Sequence, residues 1–134
     1  LGKAAVRREG TDISVITYGA MVWTALEAAA ELEKEGISLE VVDLRTLLPY
    51  DEDAVLASVH KCNKVILLHE DTRTGGMAGE LAALIAEKAF EDLDGPIVRV
   101  TAPDTPVPFS PPLESFFLPD SRKVIEAART LAEY

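Results

Sequence analysis

Lys64-Val65-Ile66-Leu67-Leu68 is apolar at every position after the first. A strand of this kind has no polar face to turn to water. Such strands belong to parallel sheets covered by helices on both sides. Upstream, Ile13-Ser14-Val15-Ile16-Thr17-Tyr18 is β-branched and aromatic and stops at Gly19. Residues 39–44 carry Glu40 as their only charge before Asp43, and Ile97-Val98-Arg99-Val100 lies downstream. All four read as strands, and residues 3–8 read as a shorter one, joined to the first by a turn at Gly10-Thr11-Asp12. Residues 21–35 are rich in Ala, Leu, Glu and Lys and are predicted to be helical. Val22, Leu26 and Ala29 share the expected inner face, with Trp23 and Ala30 alongside, and Gly36 stands where a helix-ending glycine belongs. A second helix is expected from Asp51, its capping residue, to about Lys61. A third follows Gly75-Gly76 and runs to about Phe90, with Leu81, Leu84, Ile85 and Lys88 at helical spacing. A last one follows Pro119-Asp120, with Val124, Ala127, Ala128 and Leu131 inward. Strands alternating with helices imply one open α/β sheet with helices on both faces and right-handed crossovers. No internal repeat or domain boundary interrupts residues 1–134.

The 134 residues hold 13 Lys plus Arg against 23 Asp plus Glu, a formal charge of -10. An acidic surface disfavours contact with phosphate backbones, so no nucleic-acid partner is expected; it suits a basic protein partner. No apolar run reaches the roughly 18–20 residues of a membrane helix, so no membrane contact is expected either. The start, Leu1-Gly2-Lys3-Ala4-Ala5-Val6, has no signal-peptide core. One cysteine, Cys62, rules out an intrachain disulfide and a cysteine-based zinc site, which points to a reducing, cytoplasmic compartment. The absence of an initiator Met suggests a piece of a longer chain.

Gly75-Gly76-Met77-Ala78-Gly79 lies between a strand and a helix, as a dinucleotide loop would. The fingerprint needs a glycine where Thr74 stands and belongs on the first strand of the unit, not the third. Close packing of helix on strand is the preferred reading. His69-Glu70-Asp71 falls at a strand's carboxyl end, where open α/β sheets place their sites. An interface or structural role for His69 is favoured over a catalytic one. Cys62 ends a helix, which disfavours a thiolate. Asp43 and Arg45 are expected to pair and hold the loop before Pro49. A receiver domain would need an acidic cluster where Tyr18-Gly19-Ala20 stands, and a flavodoxin-like binder would need a phosphate loop there. Six of the eight prolines fall between Pro103 and Pro119, a segment barred from regular helix or central strand. Its Val107, Phe109, Leu113, Phe116, Phe117 and Leu118 are expected to lie against the body.

Several stretches together resemble one family. Gly10-Thr11-Asp12-Ile13-Ser14-Val15-Ile16-Thr17-Tyr18-Gly19-Ala20-Met21 is similar to the start of the C-terminal domain of 2-oxo acid dehydrogenase E1 β subunits. So are Glu40-Val41-Val42-Asp43-Leu44-Arg45-Thr46-Leu47-Leu48-Pro49, His69-Glu70 with Thr74-Gly75-Gly76, Asp104-Thr105-Pro106-Val107-Pro108 and Phe117-Leu118-Pro119-Asp120. The His-Glu with Thr-Gly-Gly looks more like the branched-chain members than the pyruvate ones. The resemblance implies a transketolase C-terminal-domain fold: a three-layer, five-stranded, mostly parallel sheet with one antiparallel edge. It implies a share in the thiamine-diphosphate- and magnesium-dependent oxidative decarboxylation of a 2-oxo acid, whose acyl group passes to a lipoyl group on E2.

The family's Gly-Asp-Gly cofactor motif with its double Asn is missing here; Asn63 is the only Asn. The family's activating glutamate belongs to a different domain. No residue of this chain is therefore assigned a catalytic, cofactor or metal role, and alone it is expected to be inactive. His69 and Glu70 are candidates for an interface or for a position near the active site. The implied partners are an E1 α subunit or domain, a second E1 β across a two-fold axis, and the basic subunit-binding domain of E2. For docking E2 the candidates are Glu91, Asp92, Asp94, Glu133 and Tyr134. Phe109, Phe116 and Phe117 are expected to divide between a neighbouring subunit and the Pro-rich loop. The implied location is cytoplasmic, or the mitochondrial matrix in a eukaryote. The rival readings are the same domain of a pyruvate or acetoin enzyme, and a free-standing acidic binding module.

Overall fold

The computed structural model describes residues 2–104 and 119–134. Five strands, β1 (Ala5–Arg8), β2 (Ile13–Thr17), β3 (Leu39–Asp43), β4 (Val65–Thr72) and β5 (Val98–Ala102), form one sheet in the order β1-β3-β2-β4-β5. β1 runs antiparallel to β3, and the other neighbours are parallel. The helices are α1 (Met21–Glu33), α2 (Glu52–Cys62), α3 (Met77–Lys88) and α4 (Ser121–Ala132). The mostly parallel sheet with one antiparallel edge is the architecture that the resemblance implied.

Successive side chains of a strand point to opposite faces, and both faces here are covered. On one face Ile13, Val15, Val41, Ile66 and Leu68 pack under α1 and α4, through Ala25, Ala28, Ala29, Leu32, Val124, Ala128 and Leu131. On the other, Ile16, Val42, Val65 and Leu67 pack under α2 and α3, through Val55, Val59, Ala78, Leu81 and Ile85. That is why β4 reads as an unbroken apolar run. Each fully buried Val, Leu or Ile contributes about 1.5–3 kcal/mol relative to exposure.

Three details depart from the sequence expectation. First, α1 buries Met21, Val22, Ala25, Ala28, Ala29 and Leu32, while Ala30 is exposed and Trp23 is 74% exposed. Met21, Val22, Leu32 and the row of alanines are buried, Leu26 packs half-buried against the same cluster, and Trp23 faces outward. Second, β4 continues past Leu68 through His69-Glu70-Asp71 to Thr72; pairing of Thr72 with Ala102 of β5 carries the polar end of the strand beyond a register irregularity. Third, α3 stops at Lys88, and Phe90–Asp92 form a single 3-10 turn.

The predicted Asp51 cap is present, and Asp120 caps the last helix in the same way. Asp51 Oδ1 accepts from the Ala54 N–H at 3.1 Å, and Asp120 Oδ1 accepts from the Lys123 N–H at 3.0 Å. Gly36 has φ +79°, a conformation that favours glycine. Asp51 Oδ2 also accepts from the Ala4 N–H at 3.0 Å, tying the entry of the chain to the start of α2. Val107, Phe109, Leu113, Phe116, Phe117 and Leu118 lie outside the described residues.

Candidate functional site

The chain moves from β2 to β3 on one side and then crosses to β4 on the other. The order therefore reverses between β2 and β4, and the carboxyl ends of these two strands frame the crevice that such sheets use. Tyr18 follows β2 there, His69 sits in β4, and α3 starts opposite. A cleft of about 490 Å³ opens between Tyr18, Leu47, Asp71, Gly76, Met77 and Glu80.

His69 lies just beneath this cleft and is 1% exposed. Neither ring nitrogen has a hydrogen-bond partner. A Cβ added to Gly76 would stand 2.6 Å from His69 Nε2 and 2.4 Å from the Thr72 carbonyl oxygen, so the glycine is what lets α3 close over the ring. The Tyr18 ring lies 6.3 Å away, centroid to centroid, tilted by 39°. Burial pulls the imidazole pKa below its ordinary value, outweighing the upward pull of the Asp71 carboxylate and the adjacent main chain. The ring is therefore neutral at pH 7, with one donor and one acceptor, and neither is used. The Thr17 hydroxyl at the end of β2 is also buried and unpartnered. The Tyr18 hydroxyl donates to Asp71 Oδ2 at 3.3 Å. Burial, then the neighbouring Asp71, push its pKa up to about 12. Glu70 points the other way along the strand and is exposed. The one cysteine, Cys62, is buried, and burial and the Glu40 charge push its thiol up to about 12.

The docking candidates gather at the opposite, amino end of the sheet. Glu91 and Asp92 lie in the 3-10 turn, Asp94 follows, and Glu133 and Tyr134 end α4. The Asp94 N–H donates to the Asn63 carbonyl at 2.8 Å, and the Asp92 carbonyl accepts from Asn63 Nδ2 at 2.8 Å. Tyr134 folds over Gly95, where a Cβ would meet its Cγ at 3.2 Å. Lys64 Nζ donates to the Tyr134 main-chain oxygen at 3.0 Å. Residues 40 positions apart in sequence thus share one acidic end. His60 Nδ1 lies 3.1 Å from Asp92 Oδ1, and the Lys64 ammonium offsets part of the charge of this end.

Two further sequence readings meet the coordinates here. Asp43 does not pair with the Arg45 side chain. Its Oδ2 accepts from Arg7 Nε and Nη2 at 3.1 and 3.0 Å, and its Oδ1 accepts from the Arg45 main-chain N–H at 3.0 Å. The antiparallel edge strand brings Arg7 closer than the loop brings Arg45. The more consequential residue is Glu40, noted in the sequence only as a charge in a strand. It is 3% exposed. Its Oε1 accepts from Lys61 Nζ at 2.7 Å and the Gly10 N–H at 3.3 Å, and its Oε2 accepts from the Ser58 hydroxyl at 2.7 Å. Burial pushes its pKa up, but the Lys61, Ser58 and Gly10 hydrogen bonds and the Lys61 charge prevail, and it lies below the ordinary glutamate value. A lone carboxylate in an apolar strand was the available clue.

The described residues do not fit thiamine diphosphate or magnesium. Among them no three His, Cys, Asp or Glu converge as a metal site. The glycine turn offers no phosphate cradle, because His69 and the Thr72 carbonyl fill the space at Gly76. Asp71 and Glu80 line the cleft in front of α3 and would repel a diphosphate. Nor is any described helix long and apolar enough to cross a membrane.

The order β1-β3-β2-β4-β5, with one antiparallel edge and a crevice between the carboxyl ends of β2 and β4, describes an open α/β domain. Residues 2–124 match the family model for the transketolase C-terminal domain, and the chain belongs to that family. It is 52% identical over 134 residues to the pyruvate dehydrogenase E1 component subunit beta of Bacillus subtilis, covering all of this chain and 41% of that one. From the same organism, 2-oxoisovalerate dehydrogenase subunit beta is 50% identical over 135 residues, covering all of this chain and 41% of its own. The beta subunit of acetoin:2,6-dichlorophenolindophenol oxidoreductase is 48% identical over 131 residues, covering 98% and 38%. The chain thus spans about two fifths of these curated relatives. Among solved structures, a split-gene transketolase described as an inactive beta4 tetramer superposes with a TM-score of 0.85 at 30% identity, over 98% of this chain and 42% of that one.

Proposed function

We propose that this chain is the C-terminal assembly domain of an E1 β subunit, in a parent enzyme that oxidatively decarboxylates a 2-oxo acid and passes the acyl group to lipoyl-E2. The end-to-end similarity to β subunits of this kind carries the reading. In the parent, thiamine diphosphate and magnesium would be held by other domains, since the described residues here offer them no site. This domain would contribute pairing with a second β subunit, contact with an α subunit or domain, and docking of E2. The setting would be cytoplasmic.

A branched-chain substrate is favoured by the His69-Glu70 and Thr74-Gly75-Gly76 words. The curated relatives named for pyruvate, 2-oxoisovalerate and acetoin are nearly level in identity, so the preference rests on those words alone. Turnover of pyruvate only, by the whole enzyme, would contradict it.

The acidic amino end supports E2 docking. Opposite charge steers a basic partner, and its effect falls with salt. The test is a titration of the chain with the subunit-binding domain of its E2 at low and high salt, with mass followed by light scattering. Binding that weakens with salt, to a dimer, is the expected result. Binding indifferent to salt, or to substitution of Glu91, Asp92 and Asp94 by the corresponding amides, would remove docking from this end. Calorimetry with millimolar thiamine diphosphate should give no binding heat; a one-to-one isotherm would contradict the assignment of the cofactor to other domains.

A further inference from the structure

The chain leaves β3 through a strained turn. Asp43 ends the strand, and both its carboxylate oxygens are in use: Oδ2 by Arg7 and Oδ1 by the Arg45 main-chain N–H. Arg45 itself has φ +65°, a left-handed conformation that residues other than glycine rarely take. The Thr46 N–H donates to the Leu44 carbonyl at 2.7 Å, closing a three-residue turn with Arg45 at its centre. With a positive φ at the centre, this is the rare and strained form of the γ-turn. Contacts on both sides hold it. The Leu44 N–H donates to the Thr17 carbonyl at 2.9 Å, and Thr46 Oγ1 accepts from the Gly2 N–H at 3.0 Å. Strain held in place by its surroundings clusters at functional sites. What this turn delivers is a guanidinium with nothing to bind. Arg7, Arg8, Arg122 and Arg129 each pair with a carboxylate. The exposed Arg45 side chain makes no hydrogen bond or ion pair among the described residues, although the chain holds 23 Asp plus Glu against 13 Lys plus Arg. Apolar side chains follow in the same loop: Leu47 is 36% exposed and Leu48 is 93% exposed.

We infer that Arg45 is the anchor of a subunit contact, its guanidinium taking an Asp or Glu carboxylate of a partner subunit in the assembled parent enzyme. The inference rests on the reading of the chain as an assembly domain and deepens it, by naming one residue, the chemistry it meets and a surface at the end of the sheet opposite the acidic docking candidates. The donor sets the chemistry of the occupant. A guanidinium offers two parallel N–H donors that fit a carboxylate or a phosphate. A phosphate would call for further donors, whereas Leu47 and Leu48 follow in the loop. An arginine beside apolar side chains is the composition of a protein interface. Charge points to another subunit. A chain of formal charge -10 repels an acidic neighbour over most of its surface, and an unpaired cation with apolar company is where such a neighbour can approach. The turn fixes where that cation stands, so the partner meets a guanidinium already placed.

The test uses the whole parent enzyme. Glycine takes a positive φ freely, so Arg45→Gly keeps the turn and removes the guanidinium alone. On dilution, followed by light scattering, the variant's subunits should separate at a concentration about tenfold above that of the wild type, the loss expected of an arginine anchor. Separation at the wild-type concentration would overturn the inference. Arg45→Lys puts a primary amine at the same point, which a water-soluble carbodiimide joins to a carboxylate in direct contact. Mass spectrometry of the joined peptides should find position 45 linked to an Asp or Glu of another subunit. In a parent that assembles, no link at position 45, or a link only within its own chain, would overturn the inference and leave the assembly reading standing. A wild-type parent that runs as a single subunit at every concentration would remove both.

Discussion

Glu40 and His69 are both polar side chains shut inside the same sheet, and the two regions around them are finished differently. Around Glu40 of β3 the carboxylate has three donors from two other segments: Gly10 before β2, and Ser58 and Lys61 on α2. Around His69 a neutral ring is enclosed with nothing to bond. Each is pressed by a glycine. A Cβ on Gly10 would stand 2.3 Å from the Leu39 carbonyl carbon, and one on Gly76 would stand 2.6 Å from His69 Nε2. The closed network explains itself as fold: its groups satisfy one another. The open one leaves polar atoms buried without partners, a cost that removal of the ring should relieve. A satisfied buried charge thus supports the domain, and an unsatisfied neutral ring burdens it.

The largest effects should come from the two glycines. Gly10→Ala and Gly76→Ala should each cost about 3 kcal/mol in urea unfolding, the upper range for overpacking a tight site. They should part company on rescue. His69→Ala combined with Gly76→Ala should recover part of the loss, because one of the two obstructions there is a side chain. No side-chain truncation should rescue Gly10→Ala, whose obstruction is main chain. Next, Glu40→Leu should cost about 2–3 kcal/mol. It strands the Gly10 N–H, while the Ser58 hydroxyl keeps the Ser14 hydroxyl at 2.5 Å and the half-exposed Lys61 recovers water. His69→Leu should go the other way, raising stability of the chain by about 1 kcal/mol by removing unpaired polar atoms.

The smallest differences should appear with pH. The Glu40 pKa is lowered from 4.5 by its partners. Its contribution is therefore complete above the unfolded value and is lost as pH falls below about 4.5 through the folded one. The His69 pKa is lowered from 6.5. In the window just below 6.5 the unfolded chain binds a proton that the folded one refuses, so stability falls as pH falls there. His69→Leu should remove the shallow loss below pH 6.5, and Glu40→Gln should flatten the steeper acid arm. Exchange of those two windows between the variants would contradict the assignments.

Much of this contrast was legible beforehand, and the rest was hidden for physical reasons. The apolar run at 65–68 fixed a strand covered on both faces, and Asp51 and Asp120 marked two helix starts through cap chemistry that is local. What failed was non-local. The polar tail of β4 looks like a loop until β5 supplies main-chain partners. Trp23 looks like core until Ala25, Ala28 and Ala29 bring α1 close to the sheet. Arg45 looks like the partner of Asp43 until the antiparallel edge strand delivers Arg7. At the candidate site, the position of His69 at a strand end was readable from order alone. That its ring is buried and unpaired was not, because burial there depends on α3 closing over it at Gly76. The acidic docking candidates were five residues in two separate stretches, and only the packing of Tyr134 over Gly95 shows them to be one end of the domain.

The most direct test of the account is the stability of His69→Leu and Glu40→Leu measured side by side by urea unfolding at pH 7. The account predicts opposite signs: a gain near 1 kcal/mol for His69→Leu and a loss for Glu40→Leu. A loss for both would mean that His69 is already satisfied within the domain, and would contradict the claim that its ring is enclosed without a partner.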